Sequence, residues 1–224
     1  MKNKLNIIIV IQARMGSKRL PGKSLKLLLG QPMLARLINN IQGANLVNKI
    51  VVATSDKSVD DDIQNLCIKL NIDCYRGSET DVLSRFIDVS KIYKADLLVR
   101  LTGDNPFVEK SLIDFMLETY LKHYNDYDYI HNVENSGFPY GLYVEIFTNS
   151  ALFKANVSKN ELDREHVTRY FKCNTHDFRI GLVKAKRKYK YSHLTVDTNA
   201  EFIEAENIFD NLLKNKRKFT HLDL

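Results

Sequence analysis

The 224-residue sequence has few of the features that mark disordered, fibrous or membrane proteins. Glycine and proline number only 9 and 4, and no low-complexity tract occurs, which excludes a collagen-like or linker-like chain. No apolar run approaches the roughly 20 residues that span a bilayer, and the apolar residues 4–12 are not followed by a small-residue cleavage site. With 44% hydrophobic residues, the sequence predicts a soluble, folded protein that is not exported.

Cysteine is scarce as well. The chain has three cysteines, Cys67, Cys74 and Cys173, and none of them forms a C-x-x-C pair. An odd number without such a pair argues against both a disulfide framework and a zinc site. A reducing cytoplasm is the expected location.

Negative charge is in the minority. Lysine and arginine total 33 against 27 acidic residues, a formal net charge of +6, and much of the excess lies at residues 184–190 and 214–218. Basic clusters can bind nucleic acid, but no recognisable nucleic-acid-binding motif accompanies them. An anionic small-molecule ligand therefore fits the composition better.

The first hundred residues alternate between β-branched runs and helical patterns. Strands are predicted at 6–11, 49–54, 72–75 and 96–101, and helices at 32–42, 58–70 and 81–93. This alternation indicates right-handed βαβ units, and hence a Rossmann-like, doubly wound α/β fold with a mostly parallel sheet. In such folds ligands bind beyond the carboxyl ends of the strands, so we expect the segments after these strands to form one crevice.

The second half is less regular. It is predicted to contain a helix at 111–124, strands at 127–131 and 140–147 around a turn, a strand at 190–196 and a helix at 199–214. Because no linker or internal repeat interrupts the pattern, we expect one domain over residues 1–224 with an insertion at about 125–175.

The loop after the first predicted strand is rich in positive charge. It contains Gly16 and Gly22 together with four basic residues, Arg14, Lys18, Arg19 and Lys23. Glycines let backbone N–H groups approach phosphate oxygens, and the basic side chains neutralise their charge, so the loop predicts a polyanion site.

The loop ends in Gly22-Lys23-Ser24, which is similar to the end of a P-loop. However, the glycine spacing is one residue too long, and Pro21 lacks an N–H group. A P-loop-like kinase or NTPase is the weaker alternative.

Two carboxylates follow predicted strands. Asp104 lies in a Thr-Gly-Asp-Asn-Pro turn, and Asp197 precedes the last predicted helix. Either residue alone could simply cap a turn or a helix. Together, beside a basic phosphate loop, they predict a divalent-metal site for phosphoryl chemistry, with Mg²⁺ as the expected ion.

Several motifs in order carry a resemblance to a known family. They are Gln-Ala-Arg-Met-Gly-Ser-Lys-Arg-Leu-Pro-Gly-Lys, Val-Val-Ala-Thr-Ser-Asp, Thr-Gly-Asp-Asn-Pro and Val-Asp-Thr. The sequence resembles the CTP-dependent sugar cytidylyltransferases, most closely the spore coat polysaccharide biosynthesis branch. The resemblance implies a nucleotide-diphospho-sugar transferase-like fold that forms homodimers through the inserted segment. It also implies transfer of the cytidylyl group of CTP to an anionic acceptor, with release of pyrophosphate, for surface polysaccharide biosynthesis.

The resemblance also assigns nucleotide-side residues. Those implied to bind the nucleotide are Gln12, Ala13, Arg14, Gly16, Ser17, Lys23, Thr54, Ser55, Asp56, Arg76, Gly77, Ser78 and Thr102. Arg14, Lys23 and Asp104 are implied to be catalytic, and Asp104 and Asp197 to bind Mg²⁺. We expect an in-line attack of an acceptor oxygen on the α-phosphorus, without a covalent enzyme intermediate.

On the acceptor side, the residues implied are Tyr140, Glu145, Arg164 and His166. Tyr143 stands where this branch usually has Asp. His166 could equally be a structural histidine, and the four tyrosines Tyr127, Tyr129, Tyr140 and Tyr143 could stack on a sugar or pack in a core or dimer contact. A non-catalytic nucleotide-binding module is the alternative from a different class.

Overall fold

A computed structural model, which describes residues 5–124, 126–215 and 218–224, shows a seven-stranded sheet in this part of the chain. The strands are β1 (Ile7–Gln12), β2 (Leu27–Leu28), β3 (Gln31–Pro32), β4 (Lys49–Ser55), β5 (Asp73–Gly77), β6 (Leu97–Thr102), β7 (Tyr129–His131), β8 (Glu145–Thr148) and β9 (Ile180–Leu182). The sheet order is β5-β4-β1-β6-β8-β7-β9, and β2 pairs with β3 in a separate hairpin.

Helices cover both faces of this sheet. They are α1 (Met33–Ile41), α2 (Asp61–Lys69), α3 (Val82–Tyr93), α4 (Lys110–Lys122), α5 (Asn149–Ala155), α6 (Glu161–Glu165), α7 (Arg169–Cys173) and α8 (Asn199–Asn215). None of the helices in the described ranges is both long and apolar enough to cross a membrane.

The apolar run in β1 explains why this strand lies at the centre. Ile7, Ile9 and Ile11 pack with α1, α4 and α8, whereas Ile8 and Val10 face the opposite layer with α3 and α5. Because side chains alternate across a strand, a continuous β-branched run suits a strand that is buried on both faces. The prediction of a doubly wound, mostly parallel α/β fold is confirmed.

The strands of the parallel half end at one edge of the sheet. Gln12 is paired with Thr102 on β6 and with Ala53 on β4, and Ser55 is paired with Gly77 on β5. The loops that follow these strands therefore start at the same edge of the sheet, although only those after β1 and β6 contribute residues to the two pockets that open there.

The predicted strand at 190–196 is wrong. Its backbone forms only an isolated bridge between His193 and Tyr140, and the Val196 N–H donates to the Asp104 carbonyl at 2.9 Å. Leu194 and Val196 are buried nevertheless, which explains the strand-like apolar pattern. The segment crosses the edge of the sheet instead of joining it.

Other boundaries also differ from the prediction. The strand predicted at 140–147 begins only at Glu145, and β9 and the short helices α5 to α7 were not predicted. The strands β7 and β8 lie in the same sheet as the parallel half, with β8 antiparallel to β6. Residues 1–4, 125, 216 and 217, which belong to the predicted domain, insertion and basic cluster, lie outside the described residues.

Gly141, in the segment before β8, packs closely against the backbone of residues 194–195. Its φ is +104°, and a Cβ atom there would lie 2.4 Å from the Thr195 N and 2.6 Å from the Leu194 carbonyl carbon. Both neighbours are backbone atoms, so a larger residue would push the two segments apart. Tyr140 directly precedes Gly141, and Asp197 follows Thr195 by two residues.

We predict that Gly141→Ala lowers the free energy of unfolding by roughly 3 to 4 kcal/mol, because it adds a backbone clash to an unfavourable positive φ. Gly30→Ala is the matched control, since Gly30 has a φ of +80° and nothing within 4 Å of its Cβ position. It should lose only about 1 to 2 kcal/mol. Equal losses in urea unfolding would contradict the packing argument.

Candidate active site

Two adjoining pockets open at the carboxyl edge of the parallel strands. The loop pocket, of about 380 Å³, is lined mainly by the basic loop after β1. The β8 pocket, of about 510 Å³, lies on the side of β8 and α7. The residues that line both pockets are Arg19, Thr102, Asp104, His166 and Asp197. The two pockets therefore meet at the pair of aspartates that the sequence singled out.

A single lysine joins these two aspartates. The Lys23 Nζ lies 2.8 Å from Asp104 Oδ2 and 2.7 Å from Asp197 Oδ1, and it donates to the Val196 carbonyl at 3.0 Å. Arg19 adds a second cation, with its Nη2 2.6 Å from Asp197 Oδ2. Because the Lys23 side chain is only 11% exposed, these contacts are weakly screened by water.

The basic loop holds Lys23 in place through local turns. The Gly22 N–H donates to the Met15 carbonyl at 3.1 Å, and Gly22, with φ +71°, leads into a 3-10 turn that begins at Lys23. The Ser24 hydroxyl donates to the Arg14 carbonyl, and the Met15 N–H donates to Asp60. The loop is thus fixed at both ends, with its exposed basic residues between them.

The donor set at the junction suits a hard divalent cation held partly by substrate. Both carboxylates approach one point, which the Lys23 ammonium occupies. Within the described ranges, no three His, Cys, Asp or Glu side chains are grouped so as to hold a metal alone. Mg²⁺ commonly binds through one or two carboxylates and substrate phosphates, so Asp104 and Asp197 could hold it together with a nucleotide.

The structure brings six of the predicted nucleotide-binding residues to the loop pocket. They are Gln12, Ala13, Arg14, Ser17, Lys23 and Thr102. The others do not line it: Gly16, Thr54, Ser55, Asp56, Arg76, Gly77 and Ser78. Ser55 is buried and its hydroxyl donates a hydrogen bond to Asp60, which explains why it does not line the loop pocket.

Arg76 is turned away from the loop pocket. Its Nη1 donates to Asp61 Oδ1 at 2.6 Å and to Gln64 Oε1 at 2.8 Å, and its Nη2 donates to the Lys57 carbonyl. These partners belong to α2 and the turn before it. The nucleotide roles of Arg76 and of the other residues outside the pocket stay predictions.

Arg85 lines the loop pocket and was not predicted from the sequence. Its side chain lies on α3, is only 2% exposed and donates from Nη1 to the Ala53 carbonyl at 3.0 Å. Burial, together with the nearby charge of Arg14, lowers the pKa of Arg85 to about 10, so it remains cationic at neutral pH. An arginine within a helical pattern gives no sequence signal of this position.

The predicted acceptor-side residues separate in the structure. Tyr140, Glu145 and His166 line the β8 pocket, but Arg164 does not. Arg164 instead donates to both carboxylate oxygens of Asp81, at 2.9 and 2.5 Å. The cations that do line this pocket besides Arg19 are Arg100, Arg169 and Lys172, which the sequence analysis did not single out.

Glu145 is buried and contacts several polar side chains of the β8 pocket. It is paired with Arg100 and accepts hydrogen bonds from Tyr129 and Thr168, while the Lys172 Nζ lies 3.8 Å away. Burial alone would raise the pKa of Glu145, but these cations and hydrogen bonds lower it to about 2. Glu145 thus holds Arg100 and Lys172 at the pocket wall, and its direct contact with an acceptor stays a prediction.

The four tyrosines do not form one cluster. Tyr129 packs in the core against Phe171, with ring centroids 5.2 Å apart, and Tyr127 contacts His123. Tyr140 contacts Tyr143 edge to face and stacks on His193 at 4.9 Å. Only Tyr140 and Tyr143 line the β8 pocket.

Comparison with known proteins shows which family the chain is similar to. The family model described as cytidylyltransferase matches residues 8–222. The chain is 35% identical over 205 residues to the spore coat polysaccharide biosynthesis protein SpsF of Bacillus subtilis (strain 168). The aligned region covers 88% of this chain and 83% of that protein.

Solved structures are similar as well. A cytidylyltransferase from Leptospira borgpetersenii serovar Hardjo-bovis superposes with a TM-score of 0.88 and 30% identity, covering 98% of this chain and 92% of that one. A CMP:2-keto-3-deoxy-manno-octonic acid synthetase complexed with CTP has a TM-score of 0.70 at 19% identity, covering 93% of this chain and 100% of that one. The second likeness concerns the fold alone.

We predict that Glu145→Gln lowers the free energy of unfolding at pH 7 by about 3 kcal/mol or more, because Arg100 and Lys172 lose a buried counter-charge. The pKa of Glu145 in the folded protein lies below its usual value of 4.5, so this stabilisation is complete above about pH 5. It should disappear as the pH falls from 4.5 towards 2.

Urea unfolding of both proteins over this pH range checks the prediction. Glu204→Gln, on the exposed side of α8, is the control and should change stability by less than about 0.5 kcal/mol. A stability difference between wild type and Glu145→Gln that stays constant from pH 7 to pH 3 would rule out the ionised, paired carboxylate.

Proposed function

Because the chain belongs to the cytidylyltransferase family, we propose that it transfers the cytidylyl group of CTP to an anionic sugar or sugar phosphate, releasing pyrophosphate. The observation that carries the proposal is the junction of two pockets at Lys23, Asp104 and Asp197. A transfer between two substrates needs one binding space for each and a shared point where they react. The loop pocket would take the nucleotide and the β8 pocket the acceptor.

The basic loop is suited to the triphosphate. Arg14, Lys18 and Lys23 line the loop pocket beside Ser17, and Arg19 reaches both pockets. Fixed positive charge close to a leaving pyrophosphate stabilises the charge that develops in the transition state. With the α-phosphorus at the junction, an acceptor oxygen in the β8 pocket approaches from the side opposite the leaving group.

We assign Asp104 and Asp197 to hold Mg²⁺ with the nucleotide phosphates. When bound, Mg²⁺ supplies positive charge next to the reacting phosphate. Lys23 is then free to exchange its carboxylate partners for a phosphate oxygen, since its ammonium donates in three directions. The lysine thus contributes to substrate binding as well as to the geometry of the site without ligands.

The β8 pocket fits a partly anionic acceptor. Arg169 and Lys172 come from α7, and His166 lies where the two pockets meet. The exposed face of Tyr140, which is 46% exposed, provides an apolar surface for a sugar ring. The name of the Bacillus subtilis relative supports surface polysaccharide biosynthesis as the use of the product.

We also propose a cytoplasmic homodimer with the predicted insertion, residues 125–175, at its interface. Phe153, Val157 and Leu162 are exposed apolar side chains in this segment, and Val157 is 69% exposed. Such residues become favourable contacts when a second copy covers them. The three free cysteines suit a reducing location.

A panel of nucleotides tests the proposal directly. Thermal unfolding is measured with CTP, UTP, ATP and GTP, each with and without Mg²⁺, because a ligand that binds the folded state raises the melting temperature. CTP should give the largest increase, and Mg²⁺ should enlarge it. Preference for ATP would favour a kinase-like activity, and no response to any nucleotide would overturn the proposal.

We predict that Asp104→Asn lowers turnover at least about 100-fold in a pyrophosphate-release assay with CTP and an acidic sugar that is active with wild type. Nucleotide binding should change less than turnover, because the basic loop remains. Asp62→Asn, on the exposed face of α2, is the matched control and should keep wild-type turnover. Turnover by Asp104→Asn close to that of wild type would remove Asp104 from the mechanism.

A further inference from the structure

Arg85 is a buried cation that lines the loop pocket and forms no direct ion pair in the part of the chain that the structure describes. The charges of Asp60, Asp81 and Glu79 act on its guanidinium without a direct ion pair, and its Nε is buried without a hydrogen-bond acceptor. Its one hydrogen bond is to the Ala53 carbonyl. A buried guanidinium with unsatisfied donors is costly to keep in a folded protein, so a ligand that offers hydrogen-bond acceptors in the adjoining pocket is its natural partner.

The position of Arg85 identifies which part of a nucleotide it meets. Arg85 is bound to β4, whereas Asp104 follows β6, and β1 lies between these two strands. Two strand spacings, about 10 Å, separate β4 from β6. If the α-phosphate lies at Asp104 and Asp197, as the proposed function requires, Arg85 is at the far end of the loop pocket, away from the reacting atoms.

The surroundings of Arg85 suit a flat ring. Ala13 and Val82, which also line the loop pocket, are small and apolar, with exposures of 7% and 5%. Gly103 packs closely on Ala13, since a Cβ at Gly103 would lie 3.0 Å from the Ala13 Cβ. A base that packs on this small apolar part of the pocket can present its polar edge to the Arg85 guanidinium.

We infer that Arg85 recognises the base of the nucleotide by donating to O2 and N3 of cytosine, and thereby selects CTP over UTP. The inference rests on the proposed function. Arginine carries only donors, and cytosine presents two adjacent acceptors at O2 and N3. Uracil carries an N3–H donor, which would face the guanidinium donors and leave a polar group unsatisfied.

The alternative is that Arg85 binds phosphate. Arg14, Lys18 and Lys23 already line the loop along which a triphosphate would lie, and all three belong to the segment between β1 and α1. Arg85 comes from α3 and approaches from the β4 side. The test therefore compares ligands that contain a base with one that contains phosphate alone.

Arg85→Lys keeps the charge but removes the planar pair of donors. Isothermal titration with CMP, UMP and inorganic pyrophosphate should show that wild type prefers CMP to UMP. The variant should lose roughly 10- to 100-fold in CMP affinity, with the ratio of CMP to UMP affinity falling towards one. Its pyrophosphate affinity should stay within about twofold of wild type. Arg14→Lys, in the same pocket, should show the reverse pattern.

The variant Arg85→Met tests whether Arg85 acts only by stabilising the folded protein. Because it removes an unsatisfied donor and a buried charge that has no direct ion pair, its melting temperature without ligand should be no lower than that of wild type, while its CMP affinity falls. Equal losses of CMP and pyrophosphate in Arg85→Lys would assign Arg85 to phosphate, and an unchanged ratio of CMP to UMP affinity would remove it from base selection. If wild type itself does not prefer cytidine nucleotides, the proposed function fails first.

Discussion

The contact of the Lys23 ammonium with Asp104 and Asp197 is the interaction on which the arrangement of the site depends. It joins the basic loop after β1, the turn after β6 and the segment before α8, which lie far apart in the sequence. Two carboxylates placed this close together would repel each other without a cation between them. One lysine thus brings three segments to the same point and sets where the two pockets meet.

The parallel half of the fold could be predicted from the sequence because its signals are local. The β-branched run predicts that β1 is a buried strand, and the regular alternation with helical patterns predicts the other strands and helices of this half. Asp104 could be placed at the ligand edge because it follows β6. Asp197 lies beside it although the strand predicted before it does not form, because the Val196 N–H donates to the Asp104 carbonyl. The segment at 190–196 shows the limit, since burial by a neighbouring loop produces the same apolar pattern as burial in a sheet.

The acceptor side could not be predicted in the same way. Arg164 and Arg169 lie on neighbouring short helices, and only their tertiary partners, Asp81 for one and Asp163 for the other, decide which of them lines the β8 pocket. Arg85 presents the same difficulty, because an arginine in a helical pattern is normally expected at the surface. The side-chain positions of Arg164 and Arg85 depend on contacts with residues distant in sequence, Asp81 and Ala53, whereas Arg169 contacts Asp163 on the preceding helix.

The pairing of Arg100 with Glu145 also bears on how the chain selects its strand alignment. The two residues lie directly opposite each other where β8 runs antiparallel to β6. A shift of one residue would place Ile146 at the pocket and turn the carboxylate of Glu145 into the apolar layer on the other face, without its cations. Misaligned pairing is therefore penalised by an exposed apolar side chain and an uncompensated charge together. The Arg100–Glu145 ion pair that shapes the β8 pocket therefore also favours the native register of β8 on β6. We expect its removal to weaken this preference as well as the binding site.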